Sequence, residues 1–115
     1  MDPTCVFCRI IARETPASII YQDDHVIAFL DIHPAAPIHL LIVPIDHISS
    51  INQLSEEKSG LIGRMFVVAK QLAAEYSVAE SGYRLIINSG PDANQTVYHL
   101  HLHLLGGSPM RYPMG

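Results

Sequence analysis

Three of the seven histidines in this 115-residue chain lie within five residues, at positions 99, 101 and 103. The segment that contains them, residues 98–105, alternates polar and apolar side chains. Alternate side chains of a β-strand share one face, so the pattern predicts that His99, His101 and His103 stand together while the intervening leucines are buried. An imidazole can act as nucleophile, general acid or general base near neutral pH. The cluster is therefore the first candidate for a catalytic centre.

Two other interpretations of the cluster stay open from the residues alone. A polar strand face without function is one, although unexplained polar clusters on half-buried strands are uncommon. A metal site is the other, because imidazole is a common ligand. Three histidines at i, i+2 and i+4 extend over roughly 13 Å of strand, too far for one tetrahedral ion to take them all easily. The preceding loop, residues 90–96, offers a turn, an amide and a hydroxyl that could hold phosphate oxygens.

Composition narrows the class of protein. Hydrophobic residues make up 49% of the chain and charged residues 16%, against roughly 25% charged in typical domains, so we expect a surface buried in a homodimer. The net charge of −4 argues against nucleic-acid binding. No apolar segment approaches the roughly 20 residues of a membrane helix, and the N-terminus lacks a signal-peptide pattern. The two cysteines are too few for a disulfide framework, so we expect the protein to be cytoplasmic. The chain length predicts a single domain over residues 1–115.

The elements that must position the histidines predict an α+β domain. Residues 39–44 form an apolar run typical of a central strand buried on both faces. Apolar residues recur every three or four positions between Leu61 and Tyr76, as on one face of a long helix, and Ser55 is expected to cap it. A short helix is predicted over 6–13, with the other strands over 18–22, 25–31, 83–88 and 98–105. Together they favour an antiparallel sheet of about five strands with one long and one short helix.

At the histidine cluster the sequence resembles the histidine triad (HIT) family, whose pattern is His-apolar-His-apolar-His-apolar-apolar. Residues 99–105 match every position, and the resemblance covers almost the whole chain. Other matching residues are Phe29-Leu30-Asp31-Ile32, His39, Val43-Pro44, His47-Ile48, Tyr83-Arg84, Asn88 and Gln95-Thr96-Val97-Tyr98. The ending Leu104-Leu105-Gly106-Gly107 is similar to the Hint branch of nucleoside phosphoramidases. The proline and arginine that typically follow the triad in dinucleoside polyphosphate hydrolases are absent.

The resemblance implies a HIT-like fold and hydrolysis of purine nucleoside phosphoramidates, of AMP-amine or AMP-lysine type, through a nucleotidyl-histidine intermediate. It implies that His101 is the nucleophile and that His103 contacts the phosphate and assists proton transfer to the leaving amine. His99 would orient the cluster, with its carbonyl accepting the His101 N–H, and His39 would support His101 from the neighbouring strand.

The resemblance also implies how the AMP or GMP moiety is bound. Asp31 would bind the ribose hydroxyls. The phosphate end would be held by Asn88, Gln95 and Thr96. The base would lie in an apolar pocket formed by Val6, Phe7, Ile10, Phe29, Ile32 and Leu41. Apolar side chains recognise the shape of a base more than its exocyclic groups, so the preference between adenine and guanine stays open.

Cys5 and Cys8 form a C-x-x-C motif near the N-terminus. A redox role needs a thioredoxin-like βαβ context, which the chain does not offer there, whereas structural zinc needs four nitrogen or sulfur ligands. Many bacterial family members look similar, with two such cysteines, a histidine after the Val-Pro strand and the first triad histidine around zinc. The resemblance therefore implies a structural Zn²⁺ held by Cys5, Cys8, His47 and His99. The alternative is a pair of buried, inert thiols.

The chain departs from the family pattern at two places. Ala93 and Asn94 replace the two glycines that usually precede Gln95; asparagine tolerates positive φ, so we expect Asn94 to keep the turn and Ala93 to alter the loop. The chain has no tryptophan, and Tyr112 stands where the Hint branch often carries one. Because that segment tends to cross the dimer and influence leaving-group choice, the substrate preference stays open.

Three other functions remain compatible with the sequence. They are a dinucleoside polyphosphate hydrolase or nucleotidyl transferase, a nucleotide-binding regulatory module with little turnover, and a purely metal-binding histidine protein. If the chain is a dimer, the resemblance places its contacts on the helix of residues 61–76 and the strand of residues 83–88.

Overall fold

A five-stranded antiparallel sheet with helices packed on it forms the frame of the domain. The computed structural model describes residues 2–112. Its principal elements are α1 (Val6–Ile11), β1 (Ile19–Gln22), β2 (Val26–Leu30), β3 (Ile38–Pro44), α2 (Ser59–Glu75), β4 (Tyr83–Ile86) and β5 (Leu102–Gly106). The strand order is β1-β2-β3-β5-β4, with every neighbouring pair antiparallel. The predicted α+β class, with one long and one short helix, is confirmed.

The central strand β3 is covered on both faces, as its apolar run predicts. Leu40 and Ile42 belong to the core beneath α2. Leu41 and Val43 pack with α1 on the opposite face. Since side chains alternate along a strand, His39 lies on the α1 face, the face on which the functional site is built. Within residues 2–112, no helix combines the length and the apolar content needed to cross a membrane.

The long helix α2 presents the predicted apolar face to the sheet, but it begins later than expected. Met65, Val68 and Leu72 are fully or almost fully buried against the strands. The chain first makes a 3-10 turn over Glu56–Lys58, and the Ser55 side chain makes no capping hydrogen bond. The expected capping role of Ser55 is therefore wrong, because a separate turn lies between this serine and the helix.

The last strand is shorter than the alternation of residues 98–105 predicts. β5 begins at Leu102, and the Leu100 N–H donates to the carbonyl of Ile48, which lies beyond the end of β3. Strand alternation therefore places only His103 directly. His99 and His101 are held on the same side by tertiary contacts, and the ring of Phe7 packs edge-on against both of them.

The carboxylate of Asp23 organises the β1–β2 turn and joins it to α2. Its Oδ1 accepts hydrogen bonds from the N–H groups of His25 and Val26, each at 2.8 Å. Its Oδ2 accepts from the Tyr21 hydroxyl at 2.6 Å and from the Arg64 guanidinium at 2.8 Å. Partial burial opposes ionisation, but these hydrogen bonds outweigh it and hold the pKa of Asp23 well below its ordinary value.

We expect Asp23→Asn to lower the free energy of unfolding at pH 7 by about 1–2 kcal/mol, as when charge-assisted hydrogen bonds are weakened. Because the folded pKa is depressed, this stabilisation is present above the unfolded pKa of about 4 and is lost as the pH falls below it. Urea unfolding from pH 7 to pH 3 should show the difference between the two proteins narrowing in acid, because the stabilisation is lost progressively towards the much lower folded pKa. Asp24→Asn, at the exposed neighbouring carboxylate, is the matched control, and equal losses in both variants would contradict the assignment.

Candidate functional site

Two of the three clustered histidines, His101 and His103, lie where two cavities meet on the α1 face of the sheet. The smaller cavity has a volume of about 290 Å³ and is bounded by α1 and β2. The larger, of about 900 Å³, lies over β4, β5 and the segment that follows β5. His103 lines both cavities, His101 lines the smaller and His39 lines the larger. A group bound in one cavity therefore meets a group bound in the other at His103.

The smaller cavity gathers most of the residues predicted to bind the nucleotide. Eight of the ten line it: Val6, Phe7, Ile10, Phe29, Asp31, Ile32, Leu41 and Thr96. Buried apolar side chains from α1, β2 and β3 form its walls, whereas Ile32 at the rim is 80% exposed. An apolar cleft with a few polar groups is the usual form of a small-molecule site. Its polar groups include the carboxylate of Asp31 and the hydroxyl of Thr96.

Gln95 lines neither cavity, and its expected contact with phosphate needs correction. The side chain is 5% exposed, and a buried amide must satisfy its hydrogen bonds within the protein. Its Nε2 donates to the carbonyls of Ser49 at 2.7 Å and Val97 at 3.1 Å, and its Oε1 accepts from the Gly90 N–H at 2.9 Å. Both donor hydrogens are thus used, and Gln95 fastens the loop before the triad instead of binding phosphate.

The rest of that loop borders the larger cavity. Asn88 lines this cavity while its Nδ2 donates to the carbonyl of Ala93 at 2.7 Å. Asn94 has φ of 62°, in the left-handed region, so asparagine keeps the turn as predicted. Ala93 ends the 3-10 turn Pro91–Ala93. Asn88 therefore lies in the larger cavity, on the other side of His103 from the predicted base pocket.

The geometry of His101 leaves one ring nitrogen free for chemistry. Its Nδ1 lies 2.7 Å from the carbonyl oxygen of His99, which is the hydrogen bond that the family resemblance implies. A carbonyl oxygen can only accept, so Nδ1 carries the proton and Nε2 carries the lone pair. Burial lowers the pKa of His101, which favours the neutral imidazole at pH 7. His101 therefore has the tautomer and charge state of a nitrogen nucleophile.

His39 supports His103, whereas the resemblance placed it beside His101. Leu41 pairs with His103 across β3 and β5, so His39 is one diagonal step from His103 and two steps from His101. The Nε2 of His39 lies 2.9 Å from the Nδ1 of His103 and 3.3 Å from Oδ2 of Asp31. The expected contact is corrected by the strand register, which brings diagonal neighbours together.

A backbone group decides the direction of the hydrogen bond between these two histidines. The N–H of Ala35 donates to Nδ1 of His39 at 2.9 Å, so in neutral His39 the proton is on Nε2. His39 then donates to His103, which accepts at Nδ1 and carries its own proton on Nε2. Burial, followed by the nearby His101 and His39, lowers the pKa of His103 to about 4. The sequence did not predict that Ala35 fixes the tautomer of His39, because the contact is made by a backbone N–H and not by a side chain.

If His39 positions the proton of His103, His39→Ala should lower kcat on an adenosine phosphoramidate by about 10²-fold, the low end for proton-transfer catalysis. The KM should change little, because His39 does not line the predicted nucleoside cavity. His39→Gln, whose amide can still donate to His103, should recover part of kcat. Steady-state kinetics of the three proteins check this, and an unaltered kcat in His39→Ala would contradict the positioning role.

Four side chains from separate parts of the chain converge beside the triad in an arrangement that can hold a metal ion. Sγ of Cys5 and Sγ of Cys8 lie 3.3 and 3.6 Å from Nδ1 of His99, and Sγ of Cys8 lies 3.2 Å from Nδ1 of His47. All four ligand atoms are within 4.8 Å of one another. Zinc with its usual bond lengths and tetrahedral angles would separate sulfur and nitrogen by about 3.6 Å.

Hydrogen bonding supports the same interpretation of this four-residue group. Nε2 of His99 lies 2.8 Å from the carbonyl oxygen of Pro44 and must donate to it, which leaves the lone pair of Nδ1 facing the thiols. A second group, Asp31, His39 and His103, also has its ligand atoms within 4.8 Å. A metal ion bound to Nε2 of His39 would force the ring proton onto Nδ1. Nδ1 already accepts the N–H of Ala35, so two protons would then point at each other. The second group is therefore better explained by hydrogen bonds between its members than by a metal ion.

Comparison with known proteins finds relatives that match nearly the whole chain. A family model described as "Scavenger mRNA decapping enzyme C-term binding" matches residues 4–112. The chain is 50% identical over 110 residues to the purine nucleoside phosphoramidase of Escherichia coli strain K12, covering 96% of this chain and 92% of the relative. It also matches the crystal structure of a HIT family hydrolase from Legionella pneumophila Philadelphia 1, with a TM-score of 0.94 and 45% identity over 97% of this chain and all of the other.

A further solved structure similar to this chain is that of a zinc-bound protein. It is described as a Zn-bound histidine triad family protein from Mycobacterium smegmatis, and it matches with a TM-score of 0.79 and 33% identity over 90% of this chain and 74% of the other. The histidine pattern, the fold and the sequence identity to the relatives agree with one another over nearly the whole chain. The chain therefore belongs to the histidine triad (HIT) family and is a hydrolase of that family.

Proposed function

We propose that this hydrolase cleaves purine nucleoside phosphoramidates through a covalent nucleotidyl intermediate on His101. The observation that carries the proposal is the position of the neutral His101 and His103 at the junction of the two cavities. A nucleoside in the smaller cavity would bring its α-phosphorus to this junction, with the leaving amine directed towards the larger one. The 50% identity to a purine nucleoside phosphoramidase supports the same substrate class.

In the first step the Nε2 lone pair of His101 attacks phosphorus, a P–N(His) bond forms and the P–N bond to the amine breaks. The electron pair of the broken bond goes to the amine nitrogen, which needs a proton to leave. Anionic phosphate beside His103 favours the protonated form of that imidazole. The added proton would occupy Nδ1, so the Nε2–H of His39 would donate instead to Oδ2 of Asp31, which lies 3.3 Å away. His103 then gives a proton to the amine.

In the second step water attacks phosphorus and breaks the bond to His101, which releases the nucleoside monophosphate. His103, neutral after the first step, accepts the proton of the attacking water. His101 thereby regains its lone pair, and His103 is again protonated, as in the substrate complex, until it returns the added proton to solvent after the product leaves. Dividing one displacement into two in this way is the usual advantage of covalent catalysis.

The test is AMP release by the wild-type protein from an adenosine 5′-phosphoramidate and, in competition, from a dinucleoside tetraphosphate. We expect the phosphoramidate to be cleaved with the higher kcat/KM. Faster cleavage of the tetraphosphate would move the assignment to a dinucleoside polyphosphate hydrolase. Failure to cleave either substrate, while AMP still raises the melting temperature through binding, would indicate a nucleotide-binding module with little turnover.

We propose further that Cys5, Cys8, His47 and His99 hold a structural Zn²⁺. The donor set contains two thiols and two imidazoles, as structural zinc prefers. Bound zinc would tie α1, which also carries Phe7 and Ile10 of the smaller cavity, to the segment before β5. The reducing cytoplasm, where we place the protein, would keep both cysteines in the free-thiol state in which they can bind zinc.

We also propose a homodimer formed through β4 and α2. The outer edge of β4 is paired with no other strand of the described chain, and exposed edges are sites for pairing between chains. On α2, Phe66 is 42% and Val67 55% exposed. Sedimentation at micromolar concentration should give a species of twice the chain mass, and a single species of 12.7 kDa would contradict the dimer.

A further inference from the structure

The larger cavity is positively charged although the chain has a net charge of −4. Arg84 and Arg111 line it, and none of its described lining residues is an aspartate or glutamate. By contrast, Arg64 on the far side of the sheet is engaged by the carboxylate of Asp23. A cavity with two guanidinium groups and no lining carboxylate favours an anionic ligand.

The strand register places one of these arginines close to the reacting centre. Ile86 of β4 pairs with His103 of β5, and Arg84 pairs with Leu105. Arg84 is therefore the diagonal neighbour of His103 on the same face, a relation that separates Cβ atoms by about 7–8 Å or somewhat less. Nη1 of Arg84 donates to the carbonyl of Tyr112 at 3.2 Å, which directs the side chain along the cavity. The guanidinium keeps further N–H groups with which to bind an anion.

The larger cavity is also where the leaving group should emerge. In phosphoryl transfer the attacking and leaving atoms lie roughly in line through phosphorus. With the nucleoside in the smaller cavity and His101 as nucleophile, the leaving amine passes His103 and enters the larger cavity. At about 900 Å³ this cavity exceeds what a simple amine requires. It can therefore recognise a substituent on the amine as well as release it.

We propose that Arg84, assisted by Arg111, selects leaving amines that carry a carboxylate, so that the preferred substrates are nucleoside phosphoramidates of amino acids. This inference rests on the proposed phosphoramidase function. An α-amino acid has its carboxylate one carbon away from the nitrogen that leaves phosphorus. The carboxylate would thus accept hydrogen bonds from Arg84 while the nitrogen takes its proton from His103. A neutral or cationic substituent at the same position would forgo this ion pair.

The experiment compares two adenosine phosphoramidates that differ in one charge, those of glycine and of glycinamide. We expect the wild-type kcat/KM to favour the glycine compound by about tenfold, the effect of one charge-assisted hydrogen bond in a solvent-accessible site. Arg84→Gln should reduce the ratio towards one, and Arg84→Lys should keep part of it. Arg13→Gln is the matched control, because this exposed arginine bonds to Gln22 and lines neither cavity.

The possible outcomes separate this inference from the function on which it rests. Equal wild-type rates on the two compounds would overturn the selection of carboxylates while leaving the phosphoramidase function in place. A wild-type preference that survives in both Arg84→Gln and Arg111→Gln would overturn the assignment to these arginines. Cleavage of neither compound by the wild type would contradict the proposed function itself. The wild-type comparison needs no variant, so it decides the matter even if Arg84→Gln does not fold.

Discussion

Replacing His101 with alanine should reduce AMP release from an adenosine phosphoramidate by at least about 10⁴-fold, as when a covalent nucleophile is removed. The hydrogen bond to the His99 carbonyl leaves Nε2 of His101 as the free nitrogen. Alanine has no nitrogen that could attack phosphorus, so the two-step reaction through a covalent intermediate is lost. His101 is only one of the residues that line the smaller cavity, and the apolar walls come from α1, β2 and β3, so the variant should still bind AMP.

Two measurements separate loss of the nucleophile from loss of the fold. Calorimetric titration with AMP should give similar affinities for the wild type and His101→Ala. Rapid quenching followed by mass spectrometry should show a nucleotidyl adduct on the wild type that is absent from the variant. His25→Ala removes an exposed histidine from the β1–β2 turn and should keep full activity. A His101→Ala protein with more than a few per cent of wild-type turnover would exclude a covalent intermediate on this residue.

Removal of the proposed zinc should be the largest perturbation of stability. Metal analysis of protein purified without chelator should find about one zinc per chain, and Cys8→Ser should lose most of it. We expect the melting temperature to fall by about 10 °C or more in this variant, because metal binding to the folded state contributes directly to its free energy. The described domain also has an extensive apolar core, so we expect destabilisation and not complete unfolding.

A chelator distinguishes metal loss from the cost of a buried hydroxyl in Cys8→Ser. It should lower the melting temperature of the wild type and leave that of the variant unchanged. Loss of metal should also lower kcat, since the backbone of His99 holds His101. Wild-type protein with far less than one zinc per chain, or with a chelator-insensitive melting temperature, would instead favour two buried thiols without metal.

Local patterns predicted most elements of the fold. The apolar run of β3 reflects burial of both faces of the strand, and the three-four spacing on α2 reflects burial of one helix face. Both patterns can be recognised from residues that are close together in the sequence. The ends of elements were predicted less well. Ser55 does not cap α2, and β5 begins at Leu102 because Leu100 bonds to Ile48. These ends depend on contacts between segments that are distant in the sequence.

The site shows the same division between local pattern and tertiary contact. The sequence by itself determined the histidine cluster and the C-x-x-C motif, because residue type and spacing carry that chemistry. Its resemblance to the HIT family implied the eight residues that line the smaller cavity. Only the tertiary structure decided three further features of the site. His39 contacts His103, the amide of Gln95 makes all its hydrogen bonds within the protein, and Arg84 is the diagonal neighbour of His103. These features depend on strand register, on the partners of buried hydrogen-bonding groups and on which atom donates each proton. All three are fixed only when segments distant in the sequence come into contact.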